Sequence, residues 1–286
     1  MNEVRRGSLF TVPCVELSRQ ELNRDTLGAR ILGGFWVGLD VRQRTGSTNV
    51  DLAAAAEAGA PEGSVLVAEA QDAGRGRAGR SWVSPPGAGL TFSVLLRPAE
   101  VPRERWGWVP LLAGAALASS VAAVAGVETW LKWPNDLLAG ADRKKTAGLL
   151  AEVAGDAVVL GIGLNVTLTE AELPPDRPDT TSLALAGATV TDRAELLPAV
   201  LNTLAEEYES WRWHGGDAAS SGLLDAYRRR CDTLGRDVRV DVPAGDPLHG
   251  RAVDIDADGR LVVDTASGRV AVAAGDVIHV RPRDDS

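Results

Sequence analysis

Between Gly74 and Arg80 the chain reads GRGRAGR, three glycines interleaved with three arginines. Both residue types suit an anion. Glycine lets backbone N–H groups approach a charged oxygen, and arginine supplies a charged, bidentate donor. Three readings fit that chemistry. Gly74, Gly76 and Gly79 have the spacing of a dinucleotide fingerprint, which needs a strand before it and a helix opening on it. SVLVAEA (64–70) supplies the strand, but SWVSPPGAG follows, and Pro85-Pro86 forbids the helix. A Gly/Arg RNA-binding tract belongs to a long disordered segment, whereas this stretch lies between two apolar runs. The third reading is a flexible loop that closes over a nucleotide phosphate without being a P-loop. The bland alternative is a solvated turn between strands.

Other chemistry is sparse. His214, His249 and His279 form no recognisable catalytic pattern, and there is no G-x-S-x-G nucleophile. Cys14 and Cys231 are two lone thiols without a CxxC or Cys/His cluster, which suits a reducing, cytoplasmic compartment and gives no zinc site. The net charge of -9 is unlike the basic footprint of a general nucleic-acid binder, so any basic site is local. Arg5 and Arg6 are not followed by an apolar h-region, so no signal peptide is expected. The longest apolar run, 109–126, is Ala-rich and broken by Ser119 and Ser120. It reads as a buried helix, not a membrane span.

Elements must position these groups. A helix is expected over 19–32. Thr48 with Asp51 resembles a capping box opening an Ala-rich helix, which Gly59 and Pro61 stop. SVLVAEA and LTFSVLLRP (90–98) read as buried strands, and ETWLKWPNDLLA as a strand ending in a turn at Pro134-Asn135-Asp136. Residues 146–153 and 157–166 read as a hairpin about Gly155-Asp156, and 168–192 as a Pro-rich loop. Leu196, Val200, Leu204 and Tyr208 give helical spacing over 195–211, with a further short helix over 223–230. From Leu234 the texture changes to short strands (DVRVDV, HGRAVDI, RLVVDT, RVAVAA, VIHV). They are separated by turns at Pro243-Ala244-Gly245-Asp246, 256–259 and Ser267-Gly268, the pattern of a small all-β barrel. The expected division is 1–232, including an extension over 1–40, and 233–286.

Six motifs occur in one order: TGSTN (45–49), AEAQDAG (68–74), GRGRAGRSW (74–82), KWPNDLL (132–138), KTAGLLAE (145–152) and GIGLNV (161–166). Over roughly residues 40–282 the chain thereby resembles the biotin–protein ligases, the biotin–[acetyl-CoA-carboxylase] ligases of actinobacterial type. It departs at Ala78, where many members carry a basic or polar residue, and at Thr146, where an aliphatic residue is common. Lys144 adds a second lysine, and the following AGLLAE identifies Lys145 as the key one.

The resemblance implies an α+β fold: a mixed, largely antiparallel sheet with flanking helices, similar to class II aminoacyl-tRNA synthetases, then a C-terminal SH3-like β-barrel. It implies a two-step reaction. The biotin carboxylate attacks the α-phosphorus of ATP with Mg²⁺, giving biotinyl-5′-AMP and pyrophosphate. A lysine of a biotin carboxyl carrier domain then takes the biotinyl group and releases AMP. By matching motif, the catalytic residues are Lys145, Arg77, Arg75 and Asp136. Biotin is assigned to Ser47, Thr48, Asn49, Gln71, Arg75, Gly76, Arg77 and Lys145. ATP and the adenylate are assigned to Arg77, Arg80, Trp82, Lys132, Asn135, Lys145 and Asn165. Magnesium arrives on the ATP phosphates, with no protein ligand assigned beyond Asn165, which is read as binding nucleotide or metal. The Gly/Arg stretch is expected to be mobile in the empty enzyme and to order over the intermediate. Two rivals remain. A lipoate–protein ligase has the same chemistry with another acid. A DNA-binding regulator needs a winged helix, and the roughly 45 residues before TGSTN are too few for one. The expectation is a ligase alone, monomeric or homodimeric, with no DNA or membrane partner.

Overall fold

Short β-branched runs pair into a seven-stranded sheet in the computed structural model of the chain, which describes residues 19–243 and 245–280. The strands are β1 (Gly38–Arg42), β2 (Ser64–Ala68), β3 (Gly89–Leu96), β4 (Thr129–Lys132), β5 (Asp136–Ala139), β6 (Lys144–Ala154) and β7 (Ala157–Asn165). Their order is β1-β2-β3-β7-β6-β5-β4, with only the β1–β2 pair parallel. A second, five-stranded antiparallel sheet follows: β8 (Asp237–Asp241), β9 (Leu248–Ile255), β10 (Leu261–Thr265), β11 (Gly268–Val272) and β12 (Asp276–His279). Its order is β11-β10-β9-β8-β12. The helices are α1 (Arg24–Ile31), α2 (Thr48–Glu57), α3 (Trp108–Ala125), α4 (Arg193–Trp213) and α5 (Leu223–Arg230).

The period of two along each strand divides the large sheet into two faces. Leu90, Phe92, Val94 and Leu96 of β3, with Leu160, Ile162 and Leu164 of β7, enter the main core beneath α3 and α4. α3 is buried almost all round, which explains its apolar composition. α2 covers only one end of the opposite face, where Leu52 and Ala56 meet Leu66, Leu95 and Val159. The remainder of that face carries Thr91 and Ser93 on β3, Gly161, Gly163 and Asn165 on β7, and Gly148, Leu150 and Glu152 on β6. The two sheets share the core. Trp133 donates its backbone N–H to the Thr233 hydroxyl (3.0 Å), and the Trp108 and Trp133 indoles donate to the carbonyls of Ala257 and Gly259 (2.7 and 3.0 Å).

Several expectations are corrected. The stretch 129–139 is a two-stranded hairpin, β4–β5, because Pro134-Asn135 reverses the chain within it. The helix expected over 19–32 spans only Arg24–Ile31, since Asn23 caps it by accepting from the N–H groups of Asp25 and Thr26. β1 was not anticipated, because GLDVR is short, polar on alternate positions and lies at a sheet edge. Arg5, Arg6, Cys14, Ala244 and residues 281–286 lie outside the described residues.

Candidate functional site

The small residues on the open face make room for side chains to lie on the sheet. A Cβ at Gly161 would stand 2.2 Å from Asn49 Oδ1, and one at Gly163 would stand 2.3 Å from the Trp82 ring. The resulting cleft has a volume of about 50 Å³ and is lined by α2, the Gly/Arg stretch and strands β3, β6 and β7.

Main-chain hydrogen bonds zip two of the motifs together at one end. Thr45 N–H donates to Ala70 O, Asp72 N–H to Thr45 O, and Ala73 N–H to Gly46 O (3.1, 2.9 and 2.8 Å). This brings Gln71 to the start of α2, where its Oε1 accepts from both the N–H and the hydroxyl of Thr48 (2.8 and 3.1 Å). The expected Thr48/Asp51 capping box is therefore absent. Ser47 is the N-cap residue, Gln71 satisfies the helix N-terminus from another segment, and Asp51 instead accepts from Arg42 and Thr45. Among the described residues, neither the Ser47 hydroxyl nor Gln71 Nε2 has a hydrogen-bond partner, and both residues line the cleft. Asn49 differs: its amide is engaged by Ser93, the Leu150 carbonyl and Glu152.

The Gly/Arg stretch adopts a closed hairpin. Trp82 N–H donates to Gly74 O and Gly76 N–H to Arg80 O (2.9 and 2.7 Å), around a one-turn 3-10 helix over Arg77–Gly79. Ala78 takes the left-handed conformation at φ 53°, so the position with no long side chain is also the strained one. At Gly74 a Cβ would meet the Trp82 carbonyl at 2.3 Å. The three arginines have different environments. Arg75 pairs with Glu152 (3.2 Å) and Arg80 with Asp276 of β12 (2.7 Å). Arg77 has no side-chain partner among the described residues. Burial lowers its pKa from the ordinary arginine value, Asp276 and Asp136 oppose that shift, and Arg80 reinforces it. It stays charged and lacks a matching anion.

Lys145 reaches the same place from β6. Its Nζ donates to Asp136 Oδ1 (2.6 Å), and both side chains are mostly buried. A bulge sets Leu137 opposite Ala147 but Leu138 opposite Lys145. Thr146, skipped in the pairing, is fully buried, and its hydroxyl donates to Asn165 O (3.3 Å). Lys145 lines the cleft, whereas Lys144 lines a separate groove with Gly140 and Asp142.

The Trp82 indole lies over Gly148 and Gly163, with its Nε1 buried and unpartnered among the described residues. It forms a wall between the first cleft and a second one of about 460 Å³, which Asn165, Lys145 and the Pro-rich loop also line. Asn165 is buried and donates Nδ2 to Thr181 O (3.0 Å). Asn135 lines the first cleft, with its amide donating to Leu149 O (2.8 Å). Lys132 lines neither cleft and instead lies near His279 of β12. Arg177, Ser93 and Glu152 received no role from sequence. Arg177, a single arginine in the Pro-rich loop, lines both clefts. Ser93, a lone hydroxyl in a strand otherwise apolar from Phe92 to Leu96, was the one local signal of a buried polar site. Chemically, a pocket with unpartnered polar groups joins a pocket walled by an indole; Lys145 and Arg177 line both, and Arg77 lines the first.

Comparison with known proteins agrees with this arrangement. Residues 41–167 match the biotin/lipoate A/B protein ligase family, and residues 233–280 match the biotin protein ligase C-terminal domain. The chain is 45% identical to a biotin–[acetyl-CoA-carboxylase] ligase of Mycobacterium tuberculosis, over 93% of this chain and 96% of that protein. It is 32% identical to the bifunctional ligase/repressor BirA of Bacillus subtilis, over 96% of this chain and 82% of that one. A solved Aquifex aeolicus biotin protein ligase in complex with biotin and ATP superposes with a TM-score of 0.71 at 28% identity, covering 86% of this chain and all of that one. These matches run through both sheets and every motif around the two clefts, and the chain belongs to the biotin/lipoate A/B protein ligase family.

Proposed function

We propose that the protein is an ATP-dependent biotin–[acetyl-CoA-carboxylase] ligase. The observation that carries the proposal is the junction of the two clefts, which Lys145, Trp82 and Arg177 line, with Arg77, desolvated and without an ion-pair partner among the described residues, in the wall of the first. Biotin occupies the first cleft, with its ureido ring toward Ser47, Thr48 and Gln71, and its carboxylate reaches the junction. ATP enters the second cleft beside Trp82. The carboxylate oxygen attacks the α-phosphorus, the bond to the β-phosphate oxygen breaks, and pyrophosphate leaves. Arg77 and Lys145 stabilise the charge that builds on the phosphorus oxygens. Arg75 and Arg80 hold the hairpin over the mixed anhydride and limit its contact with water. The ε-amine of a carrier lysine then attacks the acyl carbon, AMP departs, and the amine proton is lost, with Asp136 orienting the amine. Asn165 shapes the nucleotide side, where Arg177 adds a third cation, and Asn135 lines the first cleft. Magnesium accompanies ATP on its phosphates, and the fit is limited to Asn165 and the phosphates, because no cluster of three His, Cys, Asp or Glu is gathered among the described residues.

The acid is argued from the unpartnered polar groups. A ureido ring offers both N–H and C=O to Ser47 and Gln71, whereas the dithiolane of lipoate would leave them unpaired. The remaining parts of the proposal are a boundary near residue 233, an SH3-like C-terminal unit, a cytoplasmic location, a monomer or homodimer, and no repressor activity. The test is incubation with ATP, Mg²⁺, biotin and a biotin carboxyl carrier domain. One biotinyl adduct on one carrier lysine is expected. Pyrophosphate exchange that depends on lipoate and not on biotin would overturn the choice of acid. A salt-sensitive, sequence-specific shift of a biotin-operon fragment would overturn the ligase-only reading.

A further inference from the structure

Glu152 closes the KTAGLLAE motif, yet nothing in the two-step chemistry requires a carboxylate there. It stands on the cleft face of β6, and its two oxygens divide between different partners. Oε1 pairs with Arg75 of the hairpin (3.2 Å), and Oε2 accepts from Asn49 Nδ2 (2.8 Å). Asn49 gives its second amide hydrogen to Leu150 O (3.2 Å), and its Oδ1 accepts from the Ser93 hydroxyl (2.6 Å). Both amide hydrogens of Asn49 and one lone pair of its oxygen are thus used inside the protein. The Ser93 oxygen also lies 2.7 Å from the Thr48 hydroxyl, and the Thr48 N–H fixes Gln71 Oε1 (2.8 Å). Ser93 is wholly buried, and Thr48 and Asn49 nearly so. Gly161 lies beneath this chain in register with both Ser93 and Leu150, and any side chain there would strike Asn49.

We propose that Glu152 is a positioning residue. It holds Arg75, and with it the Gly/Arg hairpin, down on the cleft through a polar chain whose other end orients Gln71. The two ends of the chain face the ligand, and the amide hydrogens in its middle are held by protein. Because Oε1 of Gln71 is committed to Thr48, its NH₂ is the group presented to the cleft. Because Arg75 is tethered by its side chain, the hairpin amides of Gly76 and Trp82 stay in their internal hydrogen bonds. The Arg75 side chain is 52% exposed and that of Glu152 30%, so the tether is weak enough to open and sensitive to salt.

The experiment reads amide hydrogen exchange at Gly76 and Trp82 in the full-length, ligand-free protein. Glu152→Gln preserves an acceptor for Asn49 but removes the charge facing Arg75. Exchange at these two amides should rise about three-fold, the factor typical of an ion pair of this exposure. Amides of β9 and β10 should not change. Salt should raise exchange at Gly76 and Trp82 in the wild type and have little effect in the variant. Arg75→Gln approaches the pair from its exposed side without touching the buried chain, and it should reproduce the effect. Adding Glu152→Gln to Arg75→Gln should then change nothing further. Unchanged exchange in both single variants, additive effects in the double variant, or a rise spread evenly over the large sheet would each overturn the proposal. Release of the adenylate, read by a chase after single-turnover activation, should accelerate by a similar factor. This last arm alone rests on the ligase reading. A protein that forms no adenylate would refute that reading and leave the exchange result to judge Glu152.

Discussion

Arg77→Met separates ligand binding from folding. Methionine keeps the aliphatic stem, so packing of the hairpin is largely retained. In the ligand-free protein Arg77 gives up no ion pair among the described residues, and burial already disfavours its charge. Stability should therefore change by less than about 0.5 kcal/mol, as for substitutions that break no specific contact. The ligand-bound state should respond differently. A charge-assisted hydrogen bond to a phosphate or carboxylate oxygen is worth about 1.5–3 kcal/mol, which corresponds to roughly 10- to 150-fold faster loss of the adenylate. The assay is single-turnover formation of labelled adenylate followed by a chase, with urea unfolding of the same samples without ligand. Escaped mixed anhydride would also acylate exposed lysines unselectively. A variant destabilised by about 2 kcal/mol without ligand, or one that retains the adenylate as long as the wild type, would show that Arg77 serves the fold.

Lys145→Ala should slow adenylate formation by about 100-fold, or roughly 3 kcal/mol of transition-state stabilisation, with a smaller loss of biotin affinity. Lys144→Ala should change the rate by less than two-fold, and a reversal of the two effects would displace the key lysine by one residue. In Gly163→Ala the new Cβ would stand 2.3 Å from the Trp82 ring. The variant should lose about 1–3 kcal/mol of stability through overpacking, and calorimetry should find ATP affinity reduced more than biotin affinity. Equal losses would remove Trp82 from the nucleotide side. Burial, then Lys132 and Arg236, hold His279 down at about 4, against the pull of Asp232. Its folded pKa lies below its free value, so its contribution is complete above about pH 6.5 and is lost as the pH falls toward 4. This amounts to at most about 2–3 kcal/mol. Urea unfolding at pH 7.5 and 4.5 should show a smaller difference for His279→Asn than for the wild type, and equal differences would discard the assignment.

Sequence reasoning succeeded where one local cause acts alone. Pro85-Pro86 excluded a helix after the glycines, and Ala-rich 109–126 could only be a buried helix in a chain this size. LTFSVLLRP read as a buried strand, and β3 is buried along its whole length; the hairpin about Gly155-Asp156 is the β6–β7 pair. It failed where a partner arrives from far along the chain. The start of α2 looked like a local capping box, but Gln71, 23 residues away, takes that position because two loops zip together. Asn49 sits in the right motif for ligand binding, and only its three-dimensional neighbours reveal that both of its amide hydrogens are taken by protein. Arg177 carried no signal, since a lone arginine in a Pro-rich loop has no pattern to read. Lys132 pairs directly with Asp136 across the β4–β5 hairpin, yet it lines neither cleft.

What distinguishes the ligand-facing groups from their neighbours is their unused bonding capacity. Ser47 and Asn49 are two residues apart in one motif, but the hydroxyl of the first is unpaired among the described residues and both amide hydrogens of the second are taken. The arginines divide the same way. If all three lacked partners, their mutual repulsion would favour an open hairpin. If all three were paired, an incoming anion would first have to break an ion pair. Pairing Arg75 and Arg80 with exposed carboxylates closes the hairpin at a strength of roughly 0.2–1 kcal/mol each, low enough to let ligands in. Leaving Arg77 unmatched keeps one full charge oriented and partly desolvated before the anion arrives. That reorganisation is completed during folding and is not charged against the reaction. The same division explains why the motif needs three arginines although the chemistry at the junction calls on only one of them directly.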